Sequence, residues 1–189
     1  MRIITGKYKG RHFDIPRSFK ARPTTDFAKE NIFNVLVQYV DFDGAAALDL
    51  FSGTGSISLE LLSRGCCQVV SVELDRDHHR FIQDCIHKLT PNTHHPSPEI
   101  IPIRGDVFRF LKSCKQQYDL IFADPPYALK ELATLPDIIF EKQLLKEDGI
   151  FVLEHGKDHD FSQHPHFREH RQYGSVNFSI FTTAERPDE

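Results

Sequence analysis

The stretch Ala46-Ala47-Leu48-Asp49-Leu50-Phe51-Ser52-Gly53-Thr54-Gly55 couples an apolar run to a glycine turn. The run suits a buried strand, and the glycines allow a tight turn whose backbone a ligand can approach. Ser56 to Ser63 then reads as a helix. Outward from this unit the same alternation repeats. Gln68 to Glu73 is a strand, Arg76 to Leu89 a helix, Glu99 to Ile103 a strand, Val107 to Ser113 a short helix, and Tyr118 to Ala123 a strand. Pro91 to Pro98 is a polar loop. A helical stretch covers about Leu129 to Leu145, interrupted by Pro136, and Gly149 to Leu153 is a fifth strand. Phe167 to Tyr173 and Val176 to Thr182, joined by a turn at Gly174-Ser175, form an antiparallel hairpin at the sheet edge. Upstream, Asp26 to about Val40 is a helix, with Ile32, Phe33, Leu36, Val37 and Val40 at helical spacing. Before it, Arg2 to Thr5 pairs with Arg11 to Ile15 in a small hairpin. Alternating units of this length imply an α/β fold built on a doubly wound, mainly parallel sheet with right-handed crossovers.

A chain of 189 residues, 40% hydrophobic and 26% charged, suits one domain with a small appendage. No run of 18 apolar residues suggests a membrane span, and cytoplasmic residence is expected. Cys66, Cys67, Cys85 and Cys114 include no C-x-x-C pair, so no metal site is expected from them. His155, His159, His164, His166 and His170 cluster late in the chain, but they lack a helical ligand frame and read as a surface loop. Net charge is −4, yet residues 1–22 carry seven basic side chains and the single acid Asp14. A basic arm on an acidic body is the footprint of a phosphate-backbone partner.

In a doubly wound sheet, ligands bind beyond the C-terminal ends of the strands. Asp49, Glu73, Asp106 and Asp124 all fall there. A dinucleotide fingerprint would need a third glycine where Ser58 stands. An acid two residues before the loop also suits a pyrophosphate poorly. Asp49 instead suits a cofactor bearing an ammonium and a sulfonium, Glu73 suits ribose hydroxyls, and Asp106 an adenine amino group. Phe51, Gly53, Gly55, Leu74 and Val107 complete this expected pocket. Together they point to S-adenosylmethionine. Each acid also has a plainer reading as a helix cap, most of all Asp106 beside its short helix.

Asp124-Pro125-Pro126-Tyr127 follows the fourth strand. Two prolines fix φ and donate no hydrogen bond, so this is a stiff ledge of carbonyls, one carboxylate and one ring. Such a ledge suits a flat ring with an exocyclic amine. The carboxylate and a proline carbonyl accept its N–H groups and stabilise positive charge developing on nitrogen, while Tyr127 stacks. Asp124, Pro125, Pro126 and Tyr127 are the expected catalytic residues. The ledge by itself accepts adenine N6 as well as guanine N2.

Five segments occur in one order: Arg2-Ile3-Ile4-x-Gly6-x-x-Lys9-Gly10-Arg11, Arg22-Pro23-Thr24-Thr25-Asp26, Glu30-x-x-Phe33-Asn34, Leu48-Asp49-x-Phe51-x-Gly53-x-Gly55 and the Asp124 ledge. In these the chain resembles the RsmD family of bacterial 16S ribosomal RNA guanine-N2 methyltransferases, from Arg2 to about Glu154. The resemblance implies a Rossmann-like class I methyltransferase fold with a seven-stranded sheet. It also implies methyl transfer from S-adenosylmethionine to the N2 of a guanine in 16S rRNA, within a small-subunit assembly particle. Residues 1–22 would form an arm on a methyltransferase domain of residues 23–189, with Lys9, Arg11, Arg22, Thr24 and Thr25 holding RNA beside the active site, and a monomer is expected. Phe27 stands where the family usually has a basic residue. The rival readings are an adenine-N6 methyltransferase, for which 189 residues leave little room for target recognition, a nicotinamide or flavin enzyme, and a non-catalytic RNA-binding assembly factor.

Overall fold

Period-two burial along the central strands divides the apolar side chains into two layers, one on each face of a sheet. The computed structural model describes residues 1–19, 24–90 and 99–184. Its strands are β1 (Ala46–Leu50), β2 (Gln68–Glu73), β3 (Glu99–Arg104), β4 (Tyr118–Ala123), β5 (Leu145–His155), β6 (Phe167–Tyr173) and β7 (Val176–Thr182). Its helices are α1 (Asp26–Leu36), α2 (Ser56–Ser63), α3 (Arg76–Leu89), α4 (Val107–Ser113) and α5 (Leu135–Glu141). The order across the sheet is β3-β2-β1-β4-β5-β7-β6. The first five strands are parallel, and β7 runs antiparallel between β5 and β6. This is the expected class I arrangement, with the edge hairpin where the sequence placed it.

One layer packs Ala47, Val69, Leu120, Phe122, Ile150 and Val152 against α1 and α2. The other packs Leu48, Val70, Ile121 and Phe151 against Leu111 of α4 and Ile139 of α5. Four expectations need correction. Helix α1 ends at Leu36, not Val40, because Gln38 and Tyr39 close tighter turns on Val35 and Leu36, and the Tyr39 hydroxyl donates to Glu169 on β6 at 2.6 Å. The stretch from Leu129 to Leu145 is a 3-10 turn, Lys130–Thr134, followed by α5. Pro136 interrupts nothing, because it lies in the first turn of α5, where no N–H is needed. Strand β5 begins four residues early: a register shift against β4 lets Lys146, Glu147 and Asp148 bulge into solvent. The histidine-rich stretch is not one surface loop, since His155 ends β5 and is buried, and His170 lies in β6.

The N-terminal hairpin is reduced to one bridge, Arg2 with His12, flanked by hydrogen bonds such as Ile3 N–H to the Arg11 carbonyl. What holds the arm is the body. Ile3 and Phe13 enter the core layer under α1 and α2. Glu60 of α2 is fully buried and accepts the N–H groups of Ile4 at 2.8 Å and Thr5 at 3.0 Å. It also pairs with Arg64 at 2.9 Å and faces Lys29 of α1 at 3.9 Å. The Lys29 ammonium in turn donates to the Arg2 carbonyl at 2.6 Å. Gly6 has φ +87°, and a Cβ there would meet the Ser63 carbonyl oxygen at 1.8 Å, so the arm crosses the end of α2 only with glycine.

Glu60 thus serves two backbone donors and two cations at once. Glu60→Ala leaves Lys29 and Arg64 without their anion in the interior, and we expect about 3–5 kcal/mol of lost stability in urea denaturation. A change below about 1 kcal/mol would mean that the arm is held by apolar contact alone.

Candidate active site

Parallel register builds the site. Leu50 pairs with Val72 on one side and with Ala123 on the other, and Ala123 pairs with Leu153. One residue further, Glu73, Phe51, Asp124 and Glu154 therefore form a single row across four strand ends. Alternation sends Glu73, Asp124 and Glu154 to the α1–α2 side. Phe51 is the exception: its φ of 59° turns the chain, and its ring packs with Phe108 of α4 at 6.3 Å. A left-handed non-glycine residue costs of order 1 kcal/mol or more. Here it clears the middle of the row in front of the glycine turn.

The turn after β1 has the tight form that its glycines allow. Gly53 and Gly55 both have positive φ, and a Cβ on Gly55 would meet Ile82 of α3 at 2.9 Å. Above Gly53 the nearest atom to such a Cβ is the Phe51 carbonyl oxygen, 3.9 Å away, so the space over the turn is open. Glu73 accepts the Gly53 N–H at 2.7 Å and the Asp75 N–H at 2.8 Å, which fixes its carboxylate beside the turn. Leu74 next to it is 65% exposed, an apolar face with no core to cover. Asp106 caps α4 through the Arg109 N–H at 2.8 Å, the plainer of its two readings, and Val107 is buried beneath it.

Asp49 lies within β1 rather than at its end and is 1% exposed. It accepts a hydrogen bond from Ser58 of α2. Burial pushes its carboxyl up to about 7, opposed by the Ser58 bond and reinforced by the Glu73 charge.

At the ledge, Asp124 still pairs with β1 through its N–H to the Leu50 carbonyl at 3.2 Å. The Pro126 carbonyl is used by the Leu129 N–H at 2.9 Å. Among the described residues no backbone N–H donates to the Pro125 carbonyl, so it is the proline acceptor left for a ligand. Beside Asp124 stands Glu154, 4% exposed, which sequence reasoning did not single out. The Tyr127 hydroxyl donates to Glu154 at 2.7 Å, and the Thr24 hydroxyl lies 3.2 Å from Glu154 and 3.5 Å from Asp124. Burial, then the neighbouring Glu154 and Asp49, raise the Asp124 carboxyl well above the ordinary range, and burial raises Glu154 too. Glu154 was findable: it closes an apolar strand as Asp124 does.

The remaining candidates disperse. Thr25 caps α1 through the Ala28 N–H at 3.2 Å. Helices α2 and α3 run back from the strand ends, so their C-termini lie at the opposite end of the sheet. The turn bearing Lys9 is bonded there to Ser63, and Arg11 donates to the Lys88 carbonyl at 3.0 Å. Neither reaches the Asp124 row, and Arg22 lies outside the described residues. The histidines have protein partners: His155 with Ser179, His164 with Asp137, His166 stacked on Phe140, and His170 with Asn177.

Asp49 gives a measurable pH dependence. Its raised value favours the folded chain only below the usual carboxylate range, and that contribution is lost as pH rises through about 7. Asp49→Asn, which keeps an acceptor for Ser58, should raise unfolding stability at pH 8 by on the order of 2–4 kcal/mol and change little at pH 4. Equal effects at both pH values in denaturant titrations would contradict this.

A family model described as conserved hypothetical protein 95 matches residues 1–182. The Bacillus subtilis protein YlbH, provisionally named an rRNA methyltransferase, is 36% identical over 161 residues, 84% of each chain. Ribosomal RNA small subunit methyltransferase D of Haemophilus influenzae is 31% identical over 84% of this chain and 80% of its own. Among solved structures, a hypothetical protein of Thermus thermophilus superposes with a TM-score of 0.80 at 27% identity, covering 96% of this chain and 98% of its own. A 16S rRNA N2 G1207 methyltransferase of Thermus thermophilus, solved with AdoMet and guanosine, has a TM-score of 0.64 at 17% identity over 88% of this chain and 45% of its own, a likeness of fold. Sheet order, rim acids and the match along nearly the whole chain agree, and the chain belongs to the RsmD family.

Proposed function

We propose that this chain is an S-adenosylmethionine-dependent methyltransferase acting on the N2 of a guanine in small-subunit ribosomal RNA, in the cytoplasm and as a monomer. The observation that carries the reading is the row Glu73–Asp124–Glu154 with an open glycine turn before it and the free Pro125 carbonyl beside it. The open space over Gly53, the fixed Glu73 carboxylate, the exposed Leu74 face and the buried Asp49 fit a ligand with an adenosine at one end and an ammonium at the other. Such a cofactor supplies an electrophilic methyl group on a sulfonium.

The protein's own part is positioning and charge. Asp124 and the Pro125 carbonyl accept the two N–H bonds of the exocyclic amine, which aligns the nitrogen lone pair and stabilises charge growing there. Tyr127, 44% exposed, offers its ring to the base, a contact worth about 1–3 kcal/mol in comparable sites. No strong base is required, because an alkylated ammonium is acidic enough to lose a proton to Asp124 or to water. The base must leave its stack, at a few kcal/mol, which a loop nucleotide offers most readily.

Residues 1–22 are read as an RNA-binding arm on a methyltransferase domain of residues 23–189. Because Lys9 and Arg11 sit at the far end of α2 and α3, their contacts belong to RNA away from the target base. That supports a substrate larger than a nucleoside, such as the rRNA of an assembling subunit particle.

Tritiated S-adenosylmethionine with small subunits lacking the modification should place label on guanine N2; label on adenine N6, or none, would refute this reading. In the same assay Asp124→Ala should lose activity while keeping its affinity for the cofactor. Lys9→Ala with Arg11→Ala should weaken RNA binding and lower the dependence of log K on log salt by about one unit per lost phosphate contact. An unchanged slope would make the arm a solvated tail.

A further inference from the structure

Glu154 is a buried acid placed beside a half-buried one, Asp124. The groups facing the pair are Asp49 from β1, Thr24 from the segment before α1, Tyr127 from the ledge, and the two carboxyls themselves. None is a cation. The Thr24 hydroxyl lies within 3.5 Å of a carboxyl oxygen of each acid, and two carboxyls converging on one hydroxyl, with no cation facing them among the described residues, hold one proton between them. The donors decide where it sits. Tyr127 donates to Glu154 at 2.7 Å and the Thr24 hydroxyl lies nearer Glu154 than Asp124, so Glu154 is the better-stabilised anion and Asp124 keeps the proton. The same bond fixes the ring of Tyr127. That ring lies against Gly156, where a Cβ would come within 3.4 Å of it, so the backbone after β5 leaves room for the ring to be held there.

We propose that Glu154 is a positioning residue of this site: it holds the Tyr127 ring at the strand end and keeps Asp124 as a hydrogen-bonding partner of its own until an amine-bearing base takes Asp124 over. The inference rests on the methyltransferase reading given above. On that reading, an ionised Asp124 accepts an N–H more strongly and stabilises the charge growing on nitrogen better than a neutral one, so the empty site is held in a resting form. A base that offers donors to Asp124 displaces the carboxyl–carboxyl contact, and the shared proton passes to Glu154 or to water. The pairing thus ties readiness of the acceptor to presence of the base, with Tyr127 meeting the base face at the same moment.

Glu154→Gln is the discriminating variant. Its amide oxygen can still accept from Tyr127 and its NH2 can donate to an ionised Asp124, so shape is kept while the shared proton is lost. In carbon-13 NMR of the free protein, the Asp124 carboxyl should titrate at least about one pH unit lower in the variant than in the wild type. In turnover, the acidic limb of kcat should move to lower pH in the same direction, with cofactor affinity unchanged. Tyr127→Phe, which removes only the hydroxyl, should raise KM for RNA several-fold. An Asp124 titration that does not move in Glu154→Gln overturns the proposal, as does an acidic limb that stays in place. The NMR titration needs no RNA. If the wild type methylates no guanine, the methyltransferase reading fails, while the titration still decides whether Glu154 governs Asp124.

Discussion

Parallel hydrogen bonding between β2, β1, β4 and β5 keeps four strand ends level, and the rim depends on that register. A slip of one residue would turn Asp124 or Glu154 to the α4–α5 side and bury it among apolar residues. The two core layers prevent this, because Phe122 and Val152 fill one layer while Ala123 and Leu153 belong to the other. The single departure from alternation, the left-handed turn at Phe51, occurs where strict alternation would place a ring in front of the glycine loop.

Collecting acids in this way works against the electrostatics of folding. Asp49 and Glu154 are buried and Asp124 is half-buried, with no cation facing them among the described residues, and each is shifted toward its protonated form. Hydroxyls offset part of the cost: Ser58 for Asp49, Thr24 and Tyr127 for the ledge pair. Glu73 is held differently, by the two backbone N–H groups of Gly53 and Asp75. The rim therefore has a backbone-fixed carboxyl beside the glycine turn and a hydroxyl-bonded pair of carboxyls at the ledge.

The arm shows the opposite solution. Glu60 is as buried as Asp49, but it has Lys29, Arg64 and two backbone donors around it. Burial lowers the pKa of the Lys29 ammonium, opposed by the Glu60 charge. Anchoring through backbone N–H groups explains why the first residues keep a defined path with hardly any sheet ladder of their own. It also places the tip with Lys7 and Lys9 at the foot of α2.

Much of this was legible in sequence, for reasons that can be named. The bounds of β1, α2, β2, α3, α4, β4, β6 and β7 follow from apolar runs cut by glycine, proline or polar residues, which are local signals. Membership of the family, and the Asp124 ledge, were likewise readable from short ordered segments. The ends of α1 and β5 were not, because a tyrosine reaching β6 and a bulge against β4 set them. Glu154 escaped notice because an acid at a strand end looks like many surface acids until its neighbour is known. Lys9 and Arg11 were expected beside the active site from resemblance alone, because charge along a chain carries no direction. Sequence alone determined the strand–helix alternation and the chemistry available at each strand end. Only the tertiary structure decided which ends are level, which carboxyls meet and where the basic arm points, because pairing register and the antiparallel return of each helix are relations between segments distant along the chain.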